Sequence, residues 1–181
     1  MRIISGEFGG RSIDIPRNKW PTRPTTDRVR EALFNILIHN YDIENVKVLD
    51  LFAGTGMNSW EFLSRGAKYV TLVDRHKKIC AFLESIADKL NVTGRVGIVC
   101  RDVLRYLQQS DDTYEIIFAD PPYDYSSIIN LFDLILEYRL LDDEGVFILE
   151  HSSLRQFSHE SFDIEQRVYG DSTLSFCSLK K

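Results

Sequence analysis

VKVLDLFAGTG, Val46 to Gly56, is the stretch from which the fold can be read. VKVLDLF is an apolar run interrupted only by Lys47 and Asp50, as expected of a strand buried on both faces, and AGTG breaks it with two glycines. A short helix over NSWEFLSR then stops at Gly66. The same strand-then-helix alternation repeats downstream. YVTLVD is a second strand, Ile79, Phe82, Leu83, Ile86 and Leu90 stripe a helix, and VGIVC is a third strand. VLRYLQQ reads as a short helix, YEIIFAD as a fourth strand, Ile128, Leu131, Phe132 and Ile135 as a helix face, and GVFILE as a fifth strand. FDIEQRVY and TLSFCSL, separated by GDS, predict a closing antiparallel hairpin. Upstream, RIISG and RSIDIP flank EFGG as a β-hairpin, RNKWPTRPTT is irregular, and Val29, Leu33, Ile36 and Leu37 mark a helix ending near Asn40. Strands alternating with helices predict an α/β fold: a doubly wound, Rossmann-like sheet, mostly parallel with an antiparallel C-terminal hairpin. The expected division is an N-terminal hairpin arm over 1–24 and a sheet domain over 25–181.

At 181 residues the chain can bury a substantial core, and its 44% hydrophobic and 27% charged composition is ordinary for a globular protein. No apolar run approaches a membrane span, and MRIISGEFGGRS lacks the apolar core of a signal peptide, so a cytoplasmic protein is expected. Cys80, Cys100 and Cys177 are odd in number and widely spread, which predicts buried thiols and no metal site. Net charge is −5, yet residues 1–30 carry +4 and the remainder −9. A basic arm on an acidic body and a merely solvated charged face both fit that asymmetry.

In doubly wound sheets, ligands bind beyond the C-terminal strand ends near the switch point. Four acids fall there: Asp50, Asp74, Asp102 and Asp120. Gly54 and Gly56 let a ligand approach backbone, but the dinucleotide fingerprint would demand a third glycine where the chain has Ser59. Asp50 would repel a pyrophosphate and suits a cationic ligand. Asp74 is placed to accept both ribose hydroxyls, and Asp102 to accept from an adenine amine. Ribose, adenine and a positive group without phosphates describe S-adenosylmethionine.

The chain resembles class I methyltransferases, and closely the bacterial 16S ribosomal RNA guanine-N2 methyltransferases of the RsmD type. MRIISGEFGGRSI, RPTTDRVREALFNIL, VLDLFAGTG, FLSRGAKYVTLVD and FADPPY look like that family's successive blocks, in order. RPTTDRVRE discriminates best, because it lies outside the general methyltransferase core. The resemblance implies a cofactor site lined by Asp50, Phe52, Ala53, Gly54, Gly56, Asp74, Arg75, Asp102 and Val103, with Arg23 and Thr25 closing over it. It implies a monomer acting on 16S ribosomal RNA, either naked or in a partly assembled small subunit, with Arg2, Arg11, Arg17 and Lys19 of the arm on RNA. The chain departs from the family pattern at Met57, Asn58, Ser59 and Trp60.

Pro121 cannot donate to a sheet ladder, so DPPY pins Asp120 at a strand end on stiff backbone. An exocyclic amine on a base is a poor nucleophile because its lone pair is conjugated into the ring. The Asp120 carboxylate and Pro121 carbonyl can orient it, held by Pro121 and Pro122, while Tyr123 offers a stacking face. DPPY also serves adenine-N6 and cytosine-N4 methyltransferases, and only the N-terminal blocks favour ribosomal RNA. Ser59 and Asp50 disfavour a nicotinamide oxidoreductase. Tyr125 could help hold the base or be an exposed loop aromatic; His151 could edge the pocket or be a surface histidine. Arg167, Tyr169 and the tail hairpin are expected to be structural.

Overall fold

The structure is a computed structural model that describes residues 1–15 and 27–181. Its elements run α1 (Asp27–Asn40), β1 (Lys47–Leu51), α2 (Met57–Ser64), β2 (Tyr69–Asp74), α3 (Lys77–Leu90) and β3 (Val96–Cys100). They continue with α4 (Val103–Leu107), β4 (Tyr114–Ala119), α5 (Ile128–Glu137), β5 (Leu141–Ser152), β6 (Phe162–Tyr169) and β7 (Ser172–Leu179). The strands form one sheet in the order β3-β2-β1-β4-β5-β7-β6. β1 to β5 are mutually parallel, and β7 runs antiparallel between β5 and β6. The chain winds outward from β1 to β3 and then crosses back to β4, so the switch point lies between β1 and β4.

Successive strand residues point to opposite faces, and both faces are covered. Val48, Val70, Leu72, Ile116, Phe118 and Ile148 join one apolar cluster with residues of α1, α2 and α3. Leu49, Leu51, Val73, Ile117, Ala119 and Leu149 join a second with α4 and α5. This double burial is why the strands read as continuous apolar runs. In α1 the buried stripe is Val29, Leu33, Phe34 and Leu37. Ile36 is half-buried and packs against the same cluster, and Phe34 joins the stripe, its ring meeting Phe62 edge-on at 4.7 Å.

The N-terminal hairpin forms, but its strand pairing is reduced to one bridge, Arg2 with Ser12. The Ile3 amide donates to Arg11 O at 3.0 Å, and the Ile13 amide to Met1 O at 2.8 Å. Its apolar residues Ile3, Phe8 and Ile13 are buried in the first cluster. Fully buried Glu61 of α2 accepts the Ile4 amide at 2.6 Å, the Ser5 amide at 3.1 Å and Arg65 Nε at 2.6 Å. Ser64 Oγ accepts the Phe8 amide at 2.9 Å. Gly6 sits so close that a Cβ there would lie 1.9 Å from Ser64 O.

β5 is longer than expected at both ends. It starts at Leu141, four residues before Gly145, through a register shift against β4 between Tyr114 and Ile116. It continues through His151, which is therefore a buried strand residue and not a surface one. Cys80 and Cys177 are buried, whereas Cys100 is exposed, contrary to the expectation that all three thiols are buried.

Candidate active site

The ends of β1 and β4 flank the switch point, and the predicted acids gather around them. Asp50 is buried in β1, and its Oδ2 accepts the Ser59 hydroxyl at 2.5 Å. Burial is the main cause raising its pKa to about 7; the Ser59 bond opposes this and the Asp74 charge adds to it. Beyond β1 the backbone is left-handed at Phe52 (φ 64°), Gly54 (φ 52°) and Gly56 (φ 71°). Phe52 holds that conformation at a cost of about 1–2 kcal/mol, a strain typical of functional loops. The Ala53 amide ties the loop to Val73 O at 3.0 Å.

Asp74 ends β2, and its Oδ2 accepts the Gly54 amide at 3.1 Å. Its Oδ1 accepts the His76 amide at 2.9 Å and lies 3.0 Å from His76 Nδ1. Asp102 lies two residues past β3 and caps α4, accepting the Leu104 amide at 3.1 Å and the Arg105 amide at 3.3 Å. Val103 is buried beside it and Arg75 is exposed. Tyr125 packs edge-on against Phe52 at 5.0 Å, so it is not a loose loop aromatic. Burial raises the Tyr125 pKa, and the Asp102 charge adds while Arg75 opposes. Phe52, Arg75, Asp102 and Tyr125 therefore border one region.

β4 ends at Ala119, and Asp120 and Pro121 follow it into a narrow cleft. Pro122 O accepts the Tyr125 amide at 2.8 Å, which closes the DPPY turn. Tyr123 stands 54% exposed, a free face at the cleft mouth. The far wall comes from β5 and its following turn: Glu150, His151, Ser152 and Arg155. His151 bonds Ser175 Oγ through Nε2 at 2.7 Å and Ser152 O through Nδ1 at 2.9 Å. Burial, chiefly, lowers its pKa. On the hairpin, Arg2 and Arg11 are exposed, and Arg11 lies over the Phe8 ring at 5.2 Å. Arg17, Lys19, Arg23 and Thr25 lie outside the described residues.

The family model described as conserved hypothetical protein 95 matches residues 1–178. The chain belongs to this family, that of the RsmD methyltransferases. It is 33% identical over 150 residues to ribosomal RNA small subunit methyltransferase D of Escherichia coli strain K12, covering 83% of this chain and 74% of that one. The protein of the same name from Buchnera aphidicola subsp. Acyrthosiphon pisum is 37% identical over 149 residues, covering 82% and 76%. Among solved structures, the Escherichia coli methyltransferase yhhF superposes with a TM-score of 0.87 at 29% identity, covering 99% of this chain and 98% of that one.

This RsmD-family chain absorbs its departures at Met57–Trp60 by local packing. Trp60 is fully buried, and its Nε1 donates to Thr55 O at 3.1 Å. A Cβ on Gly56 would lie 2.8 Å from Trp60 Nε1 and 2.7 Å from Leu83 Cδ2, so Trp60 fits only against a glycine. Ser59, where the dinucleotide pattern has glycine, partners Asp50 instead. Sequence reasoning missed that Ser59 and His76 bond Asp50 and Asp74 and that Glu150 and Arg155 wall the cleft. Glu150 carried one signal, its place at a strand end; Arg155 carried none.

Proposed function

We propose that this chain transfers a methyl group from S-adenosylmethionine to the N2 amine of a guanine in 16S ribosomal RNA. The observation that carries the proposal is the juxtaposition at the switch point: the left-handed Phe52–Gly56 loop with Asp50 and Asp74, directly beside Asp120. The residues fit the cofactor. Asp50 is a buried acid whose partner among the described residues is a neutral hydroxyl, and a sulfonium amino acid would bring it a cation. Asp50 would hold the amino-acid end, Asp74 the ribose, and Phe52, Val103 and Tyr125 the adenine. S-adenosylmethionine supplies an electrophilic methyl group when bound.

The chain's own residues do the rest. The Asp120 carboxylate and Pro121 carbonyl accept the two amine hydrogens and turn the nitrogen lone pair away from the ring plane. Tyr123 stacks on the base and excludes water from one side. The amine nitrogen would gain the methyl carbon as the sulfur–methyl bond breaks to leave a neutral thioether, and the proton it loses would pass to Asp120. Positioning supplies most of the rate, because the amine needs orientation more than a strong base. The exposed Arg2 and Arg11 of the hairpin, with Arg17 and Lys19, would hold phosphates of RNA, either naked or in a partly assembled subunit. We take the acting species to be a cytoplasmic monomer.

The test incubates the protein and its Asp120→Ala variant with labelled S-adenosylmethionine and 16S RNA, then maps the product by nuclease digestion. N2-methylguanine from wild type, with transfer lost but cofactor binding kept in the variant, is the expected result. Methyladenine or methylcytosine would overturn the guanine assignment. Near-normal transfer by the variant would overturn the role of Asp120.

A further inference from the structure

The cleft holding Asp120 carries a second acid and a cation that the methyl transfer does not use. Ala119 of β4 pairs with Leu149 of β5 in parallel register, so Asp120, one residue past the end of β4, follows beside Glu150, which is still inside β5. Adjacent strands run roughly 4.8 Å apart, and both acids line the one cleft. Glu150 is buried, and its Oε1 accepts the Ser172 hydroxyl of β7 at 3.1 Å, which fixes its orientation. Arg155 lines the same cleft. Its amide donates to Ser152 O at 3.0 Å, and its Nη1 donates to Tyr125 O at 2.9 Å, so it spans from the β5 turn to the DPPY turn. That contact uses one hydrogen of a guanidinium that carries five.

We infer that Glu150 and Arg155 select guanine, Glu150 accepting its N1–H and Arg155 donating to its O6. The inference rests on the guanine reading above and names what enforces it. A guanine that presents its N2 amine to Asp120 places N1–H beside that amine and O6 beyond it. Donor, donor, acceptor along the base edge meet carboxylate, carboxylate, guanidinium along the cleft. An adenine presenting N6 has lone pairs on both flanking ring nitrogens, and a cytosine presenting N4 has one at N3. Either would set a lone pair against the Glu150 carboxylate. Both bases are therefore rejected by repulsion as well as by a missing bond. Glu150, lining the cleft with Asp120, is thus a filter between three amines of similar chemistry.

The test uses 16S RNA carrying, at the mapped position, either guanine or 2,6-diaminopurine. The analogue keeps the N2 amine but has a lone pair at N1 and an amine in place of O6. Wild type should prefer guanine in kcat/KM by roughly tenfold to a hundredfold, the discrimination of one well-placed contact set. Glu150→Gln can donate its amide to N1 of the analogue, so its preference should collapse or invert. Arg155→Gln should narrow the preference. Each ratio is internal to one preparation, so partial unfolding cannot imitate the result. Two variants that both keep the wild-type ratio, however slow they become, would overturn the inference and leave guanine methylation standing. Wild type that methylates adenine or cytosine and not guanine would overturn the proposed function and this inference together.

Discussion

An aspartate in an unfolded chain titrates near 4, whereas Asp50 in this fold titrates at about 7. Its raised value means that the fold favours the protonated form. The penalty for ionising it is absent below about pH 4, grows as pH rises, and is complete above about pH 7. Asp50→Asn should therefore raise stability by about 1–3 kcal/mol at pH 8 and leave it unchanged at pH 4. Thermal denaturation at both pH values measures this; equal gains at both would assign the effect to packing instead. A cationic ligand reverses the sense of the site, since it favours ionised Asp50. S-adenosylmethionine affinity should then fall as pH drops below 7, by up to about tenfold per unit. The acids themselves were legible in the sequence because each sits at a predicted strand end. Their partners were not. Ser59 stood out only as a missing glycine, and that it bonds Asp50 depends on how α2 leaves the loop.

Among the elements, α2 joins the hairpin to the sheet through a buried acid. Glu61 is fully buried and satisfied by two amides and Arg65. Glu61→Ala would strand all three donors, and removing one partner of a buried charged network costs about 3–5 kcal/mol. Urea denaturation should show that loss, with Glu61→Gln intermediate because it still accepts a bond. A loss under 1 kcal/mol for Glu61→Ala would show that the hairpin is held by Ile3, Phe8 and Ile13 alone. No local pattern announces this acid, because its amide partners lie 56 and 57 residues away. Elements with their own periodicity were read well: β6 occupies the stretch FDIEQRVY as expected. β5 was read short because Asp142, Asp143 and Glu144 look like a loop, yet the register shift carries them along the sheet's exposed margin.

At the scale of the whole molecule, the first 30 residues carry +4 and the rest −9, and Arg2 and Arg11 of the hairpin form no ion pair among the described residues. If they hold phosphate, replacing both should weaken RNA binding and flatten its dependence on log salt by up to about two units. Cofactor affinity should barely change. Parallel slopes with equal affinities would mean that the hairpin only packs. The alternation of strands and helices made the doubly wound sheet legible; the position of β7 did not follow from it, since two consecutive strands can add to a sheet in either order. β7 lies inside, between β5 and β6, both of which precede it in the chain. That order has a consequence for biosynthesis. While the polypeptide is being made, the flank of β5 that bears Glu150 stays unpaired until Ser172–Leu179 have emerged, because Leu174 is its partner in the ladder. A purified chain ending at residue 171 should thus be sensitive to protease along β5 and unable to methylate, and the chain extended through Leu179 should show neither defect.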